Sequence, residues 1–144
     1  MIRFFLSDKA RKSGVQFCSP RSGDAGFDIM SCISFTLESG VQIGVSTGLH
    51  LAIPDGWVGL ISDRSSLASK QVYTHGGVID SSYRGEVIVL LRNHSPSSFS
   101  IREGDRIAQM VVVPHLKGVL QECLTAGELG ETERGSGGFG STGS

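Results

Sequence analysis

Apolar residues in this chain come in short runs, broken every few positions by Gly, Pro, Asp or Ser, and the spacing is that of strands. From residue 33 onward the β-prone runs are Ile33 to Leu37, Val41 to Val45, Gly48 to Ile53, Trp57 to Ser62, Glu86 to Asn93, Phe99 to Arg102 and Ile107 to Val113. Between them lie Glu38-Ser39-Gly40, Pro54-Asp55-Gly56, His94-Ser95-Pro96-Ser97 and Glu103-Gly104-Asp105, made of residue types that reverse a chain. A helical turn is expected only at Ser65 to Gln71, and the helices of roughly 10–15 residues that parallel βαβ units need are missing. The pattern therefore predicts an all-β sandwich, barrel or jelly roll with at most one short helix. Leu49-His50-Leu51-Ala52-Ile53 and Val87-Ile88-Val89-Leu90-Leu91 show little polar alternation, which predicts strands covered on both faces. A second copy of the chain is one way to supply that cover, so a homo-oligomer is expected.

Length and charge narrow the class. The 144 residues fit one compact domain, and 13 basic against 14 acidic side chains leave a net charge of −1. That balance gives no broad basic surface for nucleic acid or an anionic membrane, so the charge of an anionic ligand has to be met locally. Val87 to Leu91 is the longest aliphatic run, far short of the roughly 20 residues that span a bilayer. The apolar stretch near Met1 is too short and too soon interrupted by charge for a signal-peptide core, so an intracellular protein is expected. Cys18, Cys32 and Cys123 are widely spaced and form no zinc-site pattern, which predicts reduced, mostly buried thiols. The 20 glycines stand out, at twice the usual share of about 7%. Seven of them fall in the last 18 residues, where packing side chains nearly vanish. The organisation expected is a β domain over residues 1–130 followed by a mobile Gly-rich arm over 131–144.

Three segments carry candidate chemistry. Gly76-Gly77-Val78-Ile79-Asp80-Ser81-Ser82-Tyr83-Arg84-Gly85-Glu86-Val87 reads as a β-hairpin with glycines on each arm. Main-chain groups there can read the edge of a flat base, with Asp80 at the lip and Tyr83 facing a sugar. An ordinary turn in which Asp80 caps amides and Tyr83 packs is equally compatible with those residues. Asp63-Arg64-Ser65-Ser66-Leu67 leads a strand into a helical turn whose free amides, with Arg64, favour an anion, and a plain N-cap with a solvated Arg is the alternative. Arg134-Gly135-Ser136-Gly137-Gly138-Phe139-Gly140-Ser141-Thr142-Gly143 has the parts of a phosphate-wrapping arm with a ring to stack on a base. A low-complexity tail has the same composition. It is not a Walker A loop, since the Gly-Lys-Ser/Thr ending is absent. Asp28 and Gln109, in Asp24-Ala25-Gly26-Phe27-Asp28 and Gly104-Asp105-Arg106-Ile107-Ala108-Gln109, complete the set as a candidate for a hydrated Mg²⁺ and a phosphate donor.

Together, in this order, these five segments resemble the trimeric dUTPase family across residues 24 to 143. The resemblance implies a jelly-roll-like β-barrel subunit in a homotrimer, with three active sites each assembled from segments of all three chains. It implies hydrolysis of dUTP to dUMP and pyrophosphate with Mg²⁺, which lowers dUTP, keeps uracil out of DNA and supplies dUMP for dTTP synthesis. Carried over by position, Asp80 is the catalytic carboxylate that activates water against the α-phosphorus, and Tyr83 lies against the deoxyribose. Gly77, Val78, Ile79 and Ile88 form the uracil-reading hairpin, and Arg64, Ser65, Ser66 and Gln109 hold the α- and β-phosphates. Asp28 reaches Mg²⁺ through water. Arg134, Ser141 and Thr142 clamp the γ-phosphate while Phe139 stacks over the uracil, and Gly140 is a further substrate-binding residue. No nucleic-acid or membrane partner is implied, and the compartment is the cytoplasm, or a host nucleus for a viral or eukaryotic source.

Two positions depart from the family's pattern. Asp63 stands where Pro or Gly is common and puts a negative charge beside the phosphate site unless it pairs with Arg64 or a neighbouring chain. Ser66 replaces a frequent Gly, a change the family also uses. A dCTP deaminase relative would share the fold and the Arg-Ser-Ser segment, but lacks the Val78-Ile79-Asp80-x-x-Tyr83-Arg84-Gly85 hairpin. A non-catalytic paralogue would have lost key polar residues, and none of the five segments has.

Overall fold

The computed structural model describes residues 1–118 and 120–137. Among them are ten strands: β1 (Arg3–Leu6), β2 (Phe27–Met30), β3 (Phe35–Leu37), β4 (Gln42–Ala52), β5 (Trp57–Ser62), β6 (Val72–His75), β7 (Val78–Ile79), β8 (Glu86–Asn93), β9 (Phe99–Ile101) and β10 (Arg106–Pro114). All pair antiparallel, in one sheet of order β1-β4-β8-β6, a second of order β2-β10-β5-β7, and a ribbon β3-β9. The strands feed one hydrophobic core, with Val45, Leu49, Val87, Val89 and Leu91 from the first sheet and Ile29, Ile107 and Met110 from the second. The fold is all-β, as the pattern predicts, and β5 and β8 have the bounds read from sequence.

Two short helices replace the single one expected: α1 (Asp8–Lys12) and α2 (Ser65–Ala68), with a 3₁₀ turn at Ala126–Leu129. A five-residue helix is too short to show a period, and its only sequence signal is capping. Ser7 Oγ accepts from the Ala10 amide at 3.3 Å, Asp8 sits in the first turn, and Arg11 and Lys12 sit in the last. None of these helices is long and apolar enough to cross a membrane.

The runs Val41 to Val45 and Gly48 to Ile53 turn out to be one strand of 11 residues, β4, whose register with β8 shifts between Ser46 and His50. The bulge survives because Glu86 answers its amides. The carboxylate accepts from Thr47 N at 3.0 Å, from Gly48 N at 2.7 Å and from the Ser46 hydroxyl.

Within one chain β8 is covered on its inner face alone, and the outer face is the one for which cover by a second copy is expected. In the single chain Val87, Val89, Leu91 and Asn93 point inward, while Ile88 and Leu90 are 43% and 38% exposed on the outer face. Of the cysteines, only Cys32 is buried; Cys18 is exposed and Cys123 half-buried.

The segment read as a hairpin is not one. β7 pairs with β5, with Gly59 opposite Ile79 and Leu60 opposite Val78, whereas β8 pairs with β4 and β6 in the other sheet. The chain changes sheets at Gly76 and Gly77, whose φ values are 71° and 108°, and the Gly77 carbonyl accepts from Ile61 N at 2.8 Å. A Cβ at Gly77 would lie 2.7 Å from Ile61 Cβ, so no other residue fits. β7 and β8 therefore diverge and leave a slot between them.

Buried polarity is satisfied locally. Asn93 donates to the carbonyls of Leu37 at 3.0 Å and Ser97 at 2.7 Å, and its side-chain oxygen accepts from Ser95 N at 2.9 Å. Asn93→Leu strands these groups and should destabilise the protein by about 2–4 kcal/mol, read as a lower urea midpoint at unchanged slope.

Candidate active site

The predicted site residues that the structure describes, Ser66 and Arg134 apart, fall into two clefts that share no lining residue. The first, of about 960 Å³, opens at the ends of β2, β5 and β10. Register builds it: Gln109 on β10 lies opposite Asp28 on β2 on one side and Ser62 on β5 on the other, so one cross-strand row ends where Arg64 begins. Gly26 leaves room for the Gln109 side chain, since a Cβ there would sit 2.7 Å from Gln109 Oε1.

Charge in this cleft is arranged around Asp28. Arg64 Nε pairs with Asp28 Oδ1 at 2.9 Å, Arg106 Nη1 reaches Asp28 Oδ2 at 3.3 Å, and Arg64 Nη1 donates to the Arg106 carbonyl at 3.3 Å. Two guanidiniums against one carboxylate leave one net positive charge at a partly exposed site, suited to an anion. Ser65 lines this cleft and Ser66 does not. With only four residues, α2 adds little dipole, so the arginines are the main attraction for an anion.

Arg106 is a residue that the alternation of a strand conceals. Counting by twos puts it on the opposite face from Gln109, but a register shift between Arg106 and Ala108 turns it into the same cleft. The Gly-Asp-Arg turn was the available signal.

Among the described residues no group of three or more His, Cys, Asp or Glu side chains is placed to hold a metal ion. Asp28, exposed enough for water to reach its oxygens, is the one cleft residue read from sequence as a metal partner. Both of its oxygens are paired with arginines, so Asp28 would meet a cation such as Mg²⁺ only through the waters that ion retains.

The second cleft, of about 240 Å³, is the slot between β7 and β8, lined by Gly77, Val78, Ile79, Asp80, Tyr83 and Ile88 together with His75, Glu86 and Leu90. Asp80 is exposed at its mouth, and its carboxylate has no hydrogen-bond partner among the described residues. Tyr83 Oη donates to the Glu86 carbonyl at 2.9 Å, and its ring lies over Gly85, so the glycine of that arm admits the chain's own tyrosine.

Asp63 does not pair with Arg64. It turns away from the cleft and accepts from Thr74 N at 2.6 Å and Thr74 Oγ1 at 2.7 Å. Gln109, expected to donate to a phosphate, donates one amide hydrogen to the Asp63 carbonyl at 2.9 Å and keeps the other. Arg134 lines neither cleft; its Nε donates to the Gly137 carbonyl at 2.8 Å. Phe139, Gly140, Ser141 and Thr142 lie outside the described residues.

The two-sheet β architecture is that of the dUTPase structures. A Staphylococcus bacteriophage 80alpha dUTPase solved with dUPNHPP matches with a TM-score of 0.89 and 28% identity, over 100% of this chain and 99% of that one. The chain belongs to the dUTPase family, whose model matches residues 13–143. A deoxyuridine 5'-triphosphate nucleotidohydrolase of Candida albicans is 47% identical over 120 residues, 83% of this chain and 75% of that protein. Its counterpart in Desulfitobacterium hafniense is 43% identical over 148 residues, 99% and 94% of the two chains.

Glu86, absent from the residues singled out by sequence, braces the slot from behind. Burial pushes its carboxyl up, but hydrogen bonds from Ser46, Gly48 and Thr47, with the charge of His50, outweigh that and hold it below its ordinary value of 4.5. A depressed folded value contributes stability above that ordinary value, and the contribution is lost as pH falls through the lowered one. Urea unfolding at about pH 7 and pH 3 should therefore show a smaller acid-induced loss in Glu86→Gln than in the parent protein.

Proposed function

We propose that this protein hydrolyses dUTP to dUMP and pyrophosphate with Mg²⁺, in a homotrimer whose sites are shared between chains. The observation that carries the proposal is the Asp80 carboxylate, without a hydrogen-bond partner among the described residues, at the mouth of the slot that opens at Gly77, in a chain of the dUTPase family. The base enters the slot, where main-chain groups of Gly77 and Ile88 read the uracil edge. A cytosine edge would leave those groups unpaired, a mismatch worth roughly 10⁴ to 10⁵ in discrimination at sites of this type. Tyr83 packs on the deoxyribose and excludes a 2′-hydroxyl.

Arg64, Ser65, Ser66 and Gln109 hold the α- and β-phosphates, and Arg134, Ser141 and Thr142 close on the γ-phosphate with Gly140 beside them. Phe139 stacks over the base. Residues 131–144 thus act as an arm on the β domain of residues 1–130. Mg²⁺, approached by Asp28 through water, supplies charge neutralisation over the phosphate oxygens. Asp80 takes a proton from a water as its oxygen attacks the α-phosphorus; the bond from that phosphorus to the bridging oxygen breaks, and pyrophosphate leaves. The product supplies dUMP for dTTP synthesis while uracil is kept out of DNA.

Sharing between chains is supported by the separation of the two clefts and by apolar surface that a single chain leaves open. Leu116, Leu120 and Leu124, beyond the last strand, are 91%, 97% and 91% exposed, and Ile88 and Leu90 face outward on β8.

Purified protein with dUTP and Mg²⁺ should release pyrophosphate, and no release would refute the proposal. Asp80→Asn should lower kcat by about 10²- to 10⁴-fold with substrate binding kept, measured by steady-state kinetics and calorimetry with a non-hydrolysable analogue. Sedimentation should give about three chain masses. Chain ends before Arg134 should sharply reduce turnover with that mass unchanged.

A further inference from the structure

Three contacts converge on Asp63. Its Oδ1 accepts from the amide and the hydroxyl of Thr74, at 2.6 and 2.7 Å, and its main-chain carbonyl accepts from Gln109 Nε2 at 2.9 Å. The next residue, Arg64, is held by Asp28 at 2.9 Å. Thr74 lies on β6, the edge strand of its sheet, while Asp63 follows β5 in the other sheet. The Thr74 amide on the free side of that edge has no strand to bond, and the carboxylate takes the strand's place.

The contact lies between the two clefts. Residues 64–73, which carry Arg64, Ser65, Ser66, α2 and the start of β6, are closed off at their base by Asp63 and Thr74. Two and three residues past Thr74 the chain reaches Gly76 and Gly77 and crosses into the slot. We propose that Asp63 is a positioning residue: its carboxylate clasps Thr74 and so holds the Arg64-Ser65 turn of the basic cleft in register with the strand that leads into the Gly77 slot. The placement of the two half-sites within every chain is set at this point, whichever copies complete each site. The proposal rests on the dUTP-hydrolysing reading above.

The sign of the effect separates a clasp from a charge. Removing a negative charge near bound phosphates by itself improves anion binding, whereas opening the clasp loosens both half-sites and leaves the Thr74 amide unsatisfied. Steady-state kinetics with dUTP and Mg²⁺ on the full chain should show Asp63→Ala lowering kcat/KM about tenfold. Asp63→Asn, whose side-chain oxygen still accepts from Thr74, should match or slightly exceed the parent. Thr74→Val, which loses only the hydroxyl bond, should fall between and serves where Asp63→Ala folds poorly. Asp63→Ala at or above the parental kcat/KM overturns the proposal, and so does Asp63→Asn impaired as severely as Asp63→Ala. Hydrogen exchange at the Thr74 amide reads the clasp without turnover: protection in the parent and Asp63→Asn but not in Asp63→Ala supports it, and equal protection in all three overturns it. A parent protein that forms no pyrophosphate refutes the hydrolysis reading and leaves this exchange test standing.

Discussion

The crossing of the chain from one sheet to the other at Gly77 is the constraint on which the candidate site depends. The Gly77 carbonyl is tied to Ile61 N at 2.8 Å, with φ at 108° and no space for a Cβ. Because β7 is thereby drawn to β5, its backbone does not zip onto β8, and the groups that a hairpin ladder would have consumed border a slot instead. The same crossing places Asp80 at the mouth of that slot. Behind it the Glu86 carboxylate satisfies the β4 bulge, so the wall formed by β8 keeps its course across a break in register.

The basic cleft meets the other half of the problem posed by a nearly neutral chain. Three side chains, Arg64, Asp28 and Arg106, sit at the ends of three adjacent strands and hold one another by hydrogen bonds while remaining partly open to water. Such a cluster avoids the desolvation cost of a fully buried ion pair and leaves one positive charge in place before an anion arrives. Preorganisation here comes from strand register and not from a long helix dipole.

Much of this was legible along the chain. Val87 to Leu91 and Trp57 to Ser62 mark β8 and β5 because β-branched and aromatic runs between turn residues have few other uses. The five polar segments mark the family, since their order and spacing carry more information than any one of them. The features not legible along the chain are local or long-range in a particular way. α1 was too short to show a period. Arg106 was hidden by a bulge that reverses the face on which it falls, Glu86 by partners 38 to 40 positions away on β4, and the role of Asp63 by a partner 11 positions away.

Residue types and their spacing therefore dictated the all-β class, most strand positions and the chemical inventory, because alternation, turn propensity and side-chain functionality are local properties. Which strands pair, where the ladder is left open, and which two or three charged groups meet were decided only when the sheets packed, because those outcomes depend on contacts between residues far apart in sequence. The glycines illustrate the division. Their abundance was plain in composition, but that Gly77 opens a slot, while Gly85 only accommodates Tyr83, followed from what each met in the folded chain.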